Sequence, residues 1–171
     1  MILRLFVALE PTPSFRCALS LLQDRLRAEG VTGSWLHPSN LHMTLAFIGA
    51  WQEDVTNHLP SVTVPFRITL AGLGIFPGAK VLWAGVDPSR ELDTLAKDVR
   101  QELDIAGIPY DRQPFYPHIT LARKPCVPDR ICISEVGVPP AYMTVREVCL
   151  YKSEHLENGM AYTVIGRSGN Q

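Results

Sequence analysis

The chain has 171 residues, 46% of them hydrophobic, and a formal net charge of −1 at pH 7. That suits one compact domain or two small halves sharing a core. It argues against a broad electropositive footprint for long duplex nucleic acid, and leaves small anions and RNA ends as ligands that a local cluster of donors can hold. No apolar run approaches the ~20 residues of a membrane-spanning helix, and no basic stretch with a long apolar core and cleavage site opens the chain. Cys17, Cys126, Cys132 and Cys149 form no CxxC pair and no grouping with histidine, the pattern of reduced thiols in a cytoplasmic protein.

Residues 2–9 predict a strand, ended by Pro11 and Pro13. Ser14 is the candidate N-cap of a helix to about Glu29, with Gly30 as its C′ stop. Pro38-Ser39-Asn40 is turn chemistry leading into the apolar run Leu41 to Ile48. Glu53 to Leu59 reads as a short helix, Phe66 to Leu73 as a strand, Phe76-Pro77-Gly78 as a turn and Val81 to Val86 as the next strand. Asp87-Pro88 opens a second helix, with Pro88 at N1 and an end near Gly107. Pro114 and Pro117 frame a strand from Phe115 to Leu121. The stretch 125–140 is proline-rich and irregular, and Thr144 to Leu150 with Ala161 to Ile165 reads as a closing pair of strands.

Within this order one tetrapeptide occurs twice, as His42-Met43-Thr44-Leu45 and His118-Ile119-Thr120-Leu121. Side chains alternate along a strand. His42 and Thr44 therefore share one face, with Met43, Leu45 and Phe47 on the other; His118 and Thr120 likewise oppose Ile119 and Leu121. The surroundings repeat as well. Phe15, Ala18, Leu19, Leu22 and Leu26 follow the spacing of one helix face, and so do Leu92, Leu95, Ala96, Val99 and Leu103. The offset is 77 residues from Phe6 to Trp83 and from Phe15 to Leu92, and 76 between the histidines. This is an internal duplication of a strand–helix–strand unit. The expected fold is α+β: residues 1–171 as a single bilobal domain, with two mainly antiparallel sheets facing a central cleft and helices outside.

Two imidazoles across one groove suit phosphodiester cleavage. Histidine titrates near pH 6.5, so one ring can accept a proton while the other donates one. Thr44 and Thr120 are spaced to hydrogen-bond non-bridging phosphate oxygens. Arg123 is the candidate guanidinium clamp, although strict alternation puts it on the Ile119/Leu121 face; it reaches the cleft only if the strand ends or bulges near Ala122. Trp35 reads either as a base-stacking ring at the cleft rim or as a packing residue. Tyr151 reads either as a cleft residue or as strand packing, and Arg112, Arg123 and Lys124 as an electropositive lip or as solvated charges. For Phe6 and Trp83 the default is core, and for His37, His58 and His155 it is surface or loop.

These segments resemble the two-histidine phosphoesterase superfamily, and within it the RNA 2′,3′-cyclic phosphodiesterases of the LigT-like, 2′-5′ RNA ligase branch. Residues 40–49 (NLHMTLAFIG) are similar to that family's NLHxTLxFLG, and residues 114–123 (PFYPHITLAR) to its PFxPHxTLAR. Phe76-Pro77 before Val81-Leu82-Trp83 resembles its FP…VLW, and Leu150-Tyr151-Lys152-Ser153 with Gly159 and Tyr162 its closing LYxS…G…Y. The resemblance implies a cleft without metal or cofactor. It implies His42 as general acid to the 3′ leaving oxygen, His118 as general base to water, Thr44, Thr120 and Arg123 on the phosphate, and a product phosphate retained on the 2′ oxygen. It also implies ATP-independent 2′-5′ joining as the reverse reaction. Gln113 stands where many members carry a basic residue, with Arg112 adjacent. The implied partners are RNA ends bearing 2′,3′-cyclic phosphate, tRNA fragments among them, or small cyclic nucleotide phosphates, handled by a monomer in the cytoplasm. The competing readings are a non-catalytic RNA- or nucleotide-binding module in the same groove and a metal site ligated by His42 and His118. Neither motif carries a carboxylate or cysteine at ligand spacing.

Overall fold

The first strand, β1 (Leu3–Leu9), sorts its side chains by face. Leu5, Val7 and Leu9 enter the main core, while Phe6 and Ala8 join a separate small cluster with Cys149 and Tyr151. Both faces are therefore covered, one by helix and one by aromatic rings. In the computed structural model, which describes residues 2–168, this division recurs in a second sheet. After β1 come α1 (Pro13–Ala28), β2 (Thr32–Trp35) and β3 (Met43–Trp51). Then follow β4 (Phe66–Phe76), β5 (Val81–Val86), α2 (Arg90–Ile105) and β6 (Ile119–Cys126), and finally β7 (Tyr142–Val145), β8 (Cys149–Leu156) and β9 (Gly159–Arg167). One sheet has the order β3-β1-β8-β9 and the other β2-β6-β5-β4-β7, with every pairing antiparallel. The fold is α+β, built on the expected duplication: β1-α1-β3 in one half corresponds to β5-α2-β6 in the other.

The helices show the repeat most sharply at their ends. Gly30 and Gly107 both adopt positive φ, +100° and +71°. Val31 N–H reaches Leu26 O, and Ile108 N–H reaches Leu103 O, closing the same Schellman turn on both helices. The N-termini differ from expectation. Thr12, not Ser14, caps α1, because Pro13 occupies the first helical position and Thr12 Oγ1 accepts from Phe15 N. Ser89 caps α2 through Leu92 N, which leaves Pro88 outside the helix.

Other boundaries are corrected too. Each His-x-Thr strand starts one residue after its histidine, at Met43 and at Ile119. Glu53 to Leu59 contains only one 3₁₀ turn, Thr56–His58, because Asp54 Oδ1 accepts from Thr56 N and holds a local turn. The stretch 144–150 is not one strand. It divides between β7 and β8, which lie in different sheets, and β9 extends beyond 161–165 at both ends. β2 was not expected, since Thr32-Gly33-Ser34-Trp35 has no apolar alternation. It is an edge strand on β6, and Gly33 is needed there because a Cβ would lie 3.1 Å from Arg123 O.

Both motif strands carry a bulge at the same place. Opposite β1, Val7 pairs with Ala46 and Ala8 with Thr44, leaving Leu45 unpaired; opposite β5, Leu82 pairs with Ala122 and Trp83 with Thr120, leaving Leu121 unpaired. A bulge resets the alternation beyond it. Phe47 therefore pairs with Phe6, on the face shared with Ala8 and Thr44, and is 41% exposed. This corrects its assignment to the Met43/Leu45 face. Arg123 pairs with Val81, on the same face as Trp83 and Thr120.

The bulged carbonyls are clasped across the molecule. Gln23 of α1, buried, donates from Nε2 to Leu121 O at 3.0 Å, and Arg100 of α2 donates from Nε to Leu45 O at 3.1 Å. Gln23 and Arg100 are themselves 77 residues apart. Each helix therefore satisfies the polar atom that the bulge exposes in the opposite half.

Candidate active site

His42 and His118 enter their strands from turns built alike. His42 Nδ1 lies 2.7 Å from Asn40 O, and His118 Nδ1 lies 2.7 Å from Tyr116 O. A carbonyl oxygen only accepts, so Nδ1 carries the hydrogen in both rings and Nε2 is the position that gains or loses a proton. In the first turn the Asn40 side chain is also engaged: Nδ2 donates to Met160 O at 2.8 Å, and Oδ1 accepts from Tyr162 N at 3.2 Å. Strand β9 thereby fixes the carbonyl that orients His42.

Aromatic rings wall each imidazole. Phe6 lies 4.7 Å from His42, Tyr162 meets it edge-on at 5.2 Å, and Tyr151 is stacked behind Phe6 at 4.9 Å. Around His118, Phe76 is edge-on at 5.0 Å, with Trp83 and Tyr116 each at 6.5 Å. Phe6 and Trp83, core by default, thus flank the histidines, whereas Tyr151 packs as a strand residue, 3% exposed. Asn40, Phe76, Tyr116 and Tyr162 were not read as site residues. Their signal lay in the turn preceding each histidine and in the aromatic residues of the neighbouring strands.

Burial dominates the electrostatics. It lowers His42 to about 4, against the hydrogen bond to Asn40 O and with help from the positive charges of Arg123, His118 and Arg16. His118 is also lowered by burial, opposed by the Tyr116 carbonyl. The Thr44 and Thr120 hydroxyls and the Arg123 guanidinium have no hydrogen-bond or ion-pair partner among the described residues, so they are free to meet an anion. Trp35 sits with Arg123, Asn40 and Tyr162 around a groove of about 350 Å³ on the His42 side, its ring 4.8 Å from the Arg27 guanidinium. Arg112 is placed elsewhere, in an ion pair with Asp104 at 2.8 Å and packed on Tyr110. His37 caps its own turn at Ser39, and His155 contacts Met160.

Among the described residues, only Glu10, Glu147 and Cys149 bring possible metal ligands together, within 4.8 Å. Arg167 already pairs with both carboxylates, at 2.8 and 2.5 Å, and burial pushes the Cys149 thiol up to about 12. A guanidinium neutralises that cluster, and neither His42 nor His118 belongs to it.

Two antiparallel sheets, each carrying a His-x-Thr pair at the equivalent place of a repeated strand–helix–strand unit, are the pattern of the two-histidine phosphoesterase class. The sequence matches the 2′-5′ RNA ligase superfamily over residues 6–157, and the chain belongs to that superfamily. It is 32% identical over 168 residues to an RNA 2′,3′-cyclic phosphodiesterase of Aquifex aeolicus, covering 86% of this chain and 89% of that protein. Another, from Thermotoga maritima, is 28% identical over 179 residues, covering 95% and 93%. The crystal structure of E. coli LigT complexed with 3′-AMP superimposes over the full length of both chains, with a TM-score of 0.79 and 27% identity.

Proposed function

We propose that the protein is an RNA 2′,3′-cyclic phosphodiesterase, a hydrolase that opens a terminal cyclic phosphate to a 2′-phosphomonoester without a metal. One observation supports this reading: two histidines at equivalent places of the repeat each have Nδ1 tied to a carbonyl two residues before, and Thr44, Thr120 and Arg123 beside them are unengaged among the described residues. His118 Nε2 takes a proton from water as its oxygen attacks phosphorus. His42 Nε2 returns one to the 3′ oxygen, in line on the far side. Thr44, Thr120 and Arg123 hold the non-bridging oxygens as charge builds there. In the ligand-free protein, His42 near 4 is a poor reservoir for that proton. The anionic phosphate, seated against Arg123, offsets the cation that opposes protonation, so the acid is loaded in the complex.

The substrates are RNA ends, tRNA fragments among them, or small cyclic nucleotides, and the reverse reaction joins ends through a 2′-5′ bond. The whole chain works as one bilobal domain and as a monomer. Exposed Cys17, Cys126 and Cys132 suit the reducing cytoplasm, and no helix among the described residues is long and apolar enough to cross a membrane. The test is to incubate the protein, in EDTA, with an oligonucleotide ending in a 2′,3′-cyclic phosphate. A 2′-phosphate product is expected. Tight binding with no hydrolysis would return the cleft to the binding-module reading.

A further inference from the structure

Two histidines outside the repeated motif, His37 and His155, line the same groove of about 350 Å³ as Trp35, Asn40, Arg123 and Tyr162. Hydrogen bonding fixes their tautomers in opposite senses. His37 Nδ1 accepts from Ser39 N at 3.1 Å, so the hydrogen of the neutral ring is on Nε2. His155 Nδ1 lies 3.3 Å from Met160 Sδ. A thioether only accepts, so Nδ1 carries the hydrogen and Nε2 of the neutral ring keeps its lone pair. The pair therefore brings one N–H donor and one nitrogen acceptor to the groove, and both rings are exposed. The elements that carry them are fastened together. His37 caps the turn Pro38–Asn40, while His155 and Met160 stand on the β8–β9 hairpin. Asn40 joins the two, donating to Met160 O at 2.8 Å and accepting from Tyr162 N at 3.2 Å.

The groove also borders the reacting groups. Arg123 lines it, and its Tyr162 lies edge-on to His42 at 5.2 Å. A cyclic phosphate held by Arg123, with its 3′ oxygen at His42, carries its own nucleoside toward this side of the site. We propose that the groove reads the hydrogen-bonding edge of that terminal base, with His155 and His37 as the specificity residues. For adenine, the N6 amine donates to His155 Nε2, and N1 accepts from His37 Nε2–H. The heterocycle lies along Trp35, whose ring is held by the Arg27 guanidinium at 4.8 Å. Every base offers a face for stacking. Only one with a donor and an acceptor side by side satisfies both imidazoles.

This proposal rests on the phosphodiesterase reading, so its test compares two substrates of that same reaction. Initial rates are measured on the 2′,3′-cyclic phosphates of adenosine and of purine riboside, which differ only by the N6 amine. Wild-type protein is set beside His155→Phe and beside His58→Phe, a control at an exposed histidine of the turn Thr56–His58, outside the groove. Phenylalanine keeps a ring at position 155 and removes the acceptor nitrogen. Wild type and His58→Phe are expected to prefer the adenosine substrate about fivefold in kcat/KM, the size of one solvent-accessible hydrogen bond, and His155→Phe is expected to bring the ratio to about one. Equal kcat/KM for the two substrates in wild type, or a preference that survives in His155→Phe, overturns the base-reading assignment and leaves the hydrolase standing. No hydrolysis of either substrate by wild-type protein overturns the phosphodiesterase reading itself.

Discussion

The His42 wall is Phe6 stacked on Tyr151; the His118 wall is Trp83 lying on glycines, with Phe76 tilted against it at 5.2 Å and Tyr116 edge-on at 5.4 Å. Phe6 and Tyr151 are 4% and 3% exposed, whereas Trp83 is half-buried and Tyr116 is open to solvent. Trp83 Nε1 is the buried side-chain polar atom without a hydrogen-bond partner among the described residues, a cost of about 1–3 kcal/mol. The same backbone unit has thus been finished in two ways. One half holds its imidazole in a dry, strongly perturbing pocket, and the other leaves room beside it. A duplicated fold provides two equivalent histidines; only the unlike packing around them provides two roles.

The largest effect that separates the halves is catalytic. Alanine at His42 or at His118 is expected to lower cyclic-phosphate turnover by about 10²–10⁴-fold with folding retained. Bis(4-nitrophenyl) phosphate distinguishes them, since its leaving group departs without a proton. His42→Ala is expected to regain most of its activity on that ester and His118→Ala to remain impaired. The opposite pattern would exchange the two roles. The ligand-free electrostatics lean that way, because His42 is the harder ring to protonate.

The cross-clasps come next. Gln23 is 1% exposed and its amide also donates to Leu36 O at 2.9 Å, whereas Arg100 is partly solvated. Gln23→Leu removes the amide donor from Leu36 O and leaves Leu121 O with the Leu36 N–H alone, and is expected to cost about 1–3 kcal/mol in urea denaturation. Arg100→Met is expected to cost less, about 1 kcal/mol, because water reaches the Leu45 carbonyl more easily. Equal losses would mean the two bulges are equally dry.

How much of this could be read in advance follows from the range of the forces involved. The duplication, both helices and the His-x-Thr pairs are written in local periodicity, so they were visible. The bulges at Leu45 and Leu121 were not, because they arise from pairing with β1 and β5, and alternation alone sent Arg123 and Phe47 to the wrong face. β2 has no apolar pattern, being an edge strand held by its neighbour. Asn40 was visible only as part of a motif; its role comes from β9, some 120 residues on. The N-caps differ by two residues at each helix, Thr12 for Ser14 and Ser89 for Asp87, because proline at the first turn shifts the cap to the residue before it or is itself left outside the helix.

Acid sharpens the comparison of the two walls. His42 goes from an ordinary value of 6.5 to about 4 on folding, so between those values the unfolded chain holds a proton that the folded ring refuses. Stability therefore rises with pH across that window and is lost as pH falls through it, by on the order of 1–3 kcal/mol. His42→Gln is expected to flatten this slope in urea midpoints taken from pH 7.5 to 4.5. Since His118 is lowered as well, kcat/KM is expected to peak below pH 6.5. A peak above pH 7.5 would contradict the burial of both rings.

The smallest effect tests the repeat where the halves look most alike. Gly30 and Gly107 close the same turn at positive φ, a backbone region where any Cβ is strained. Alanine at either is expected to cost about 1 kcal/mol. Space separates them: a Cβ at Gly107 meets nothing within 4 Å, while one at Gly30 lies 3.3 Å from both Arg130 and Pro128. Arg130 also donates from Nη2 to Glu29 O, so the crowded atom is one that helps finish α1. Gly30→Ala should therefore be the more destabilising of the two. Equal thermal shifts would show that backbone strain alone sets the cost, and that the loop carrying Arg130 yields freely to the added methyl.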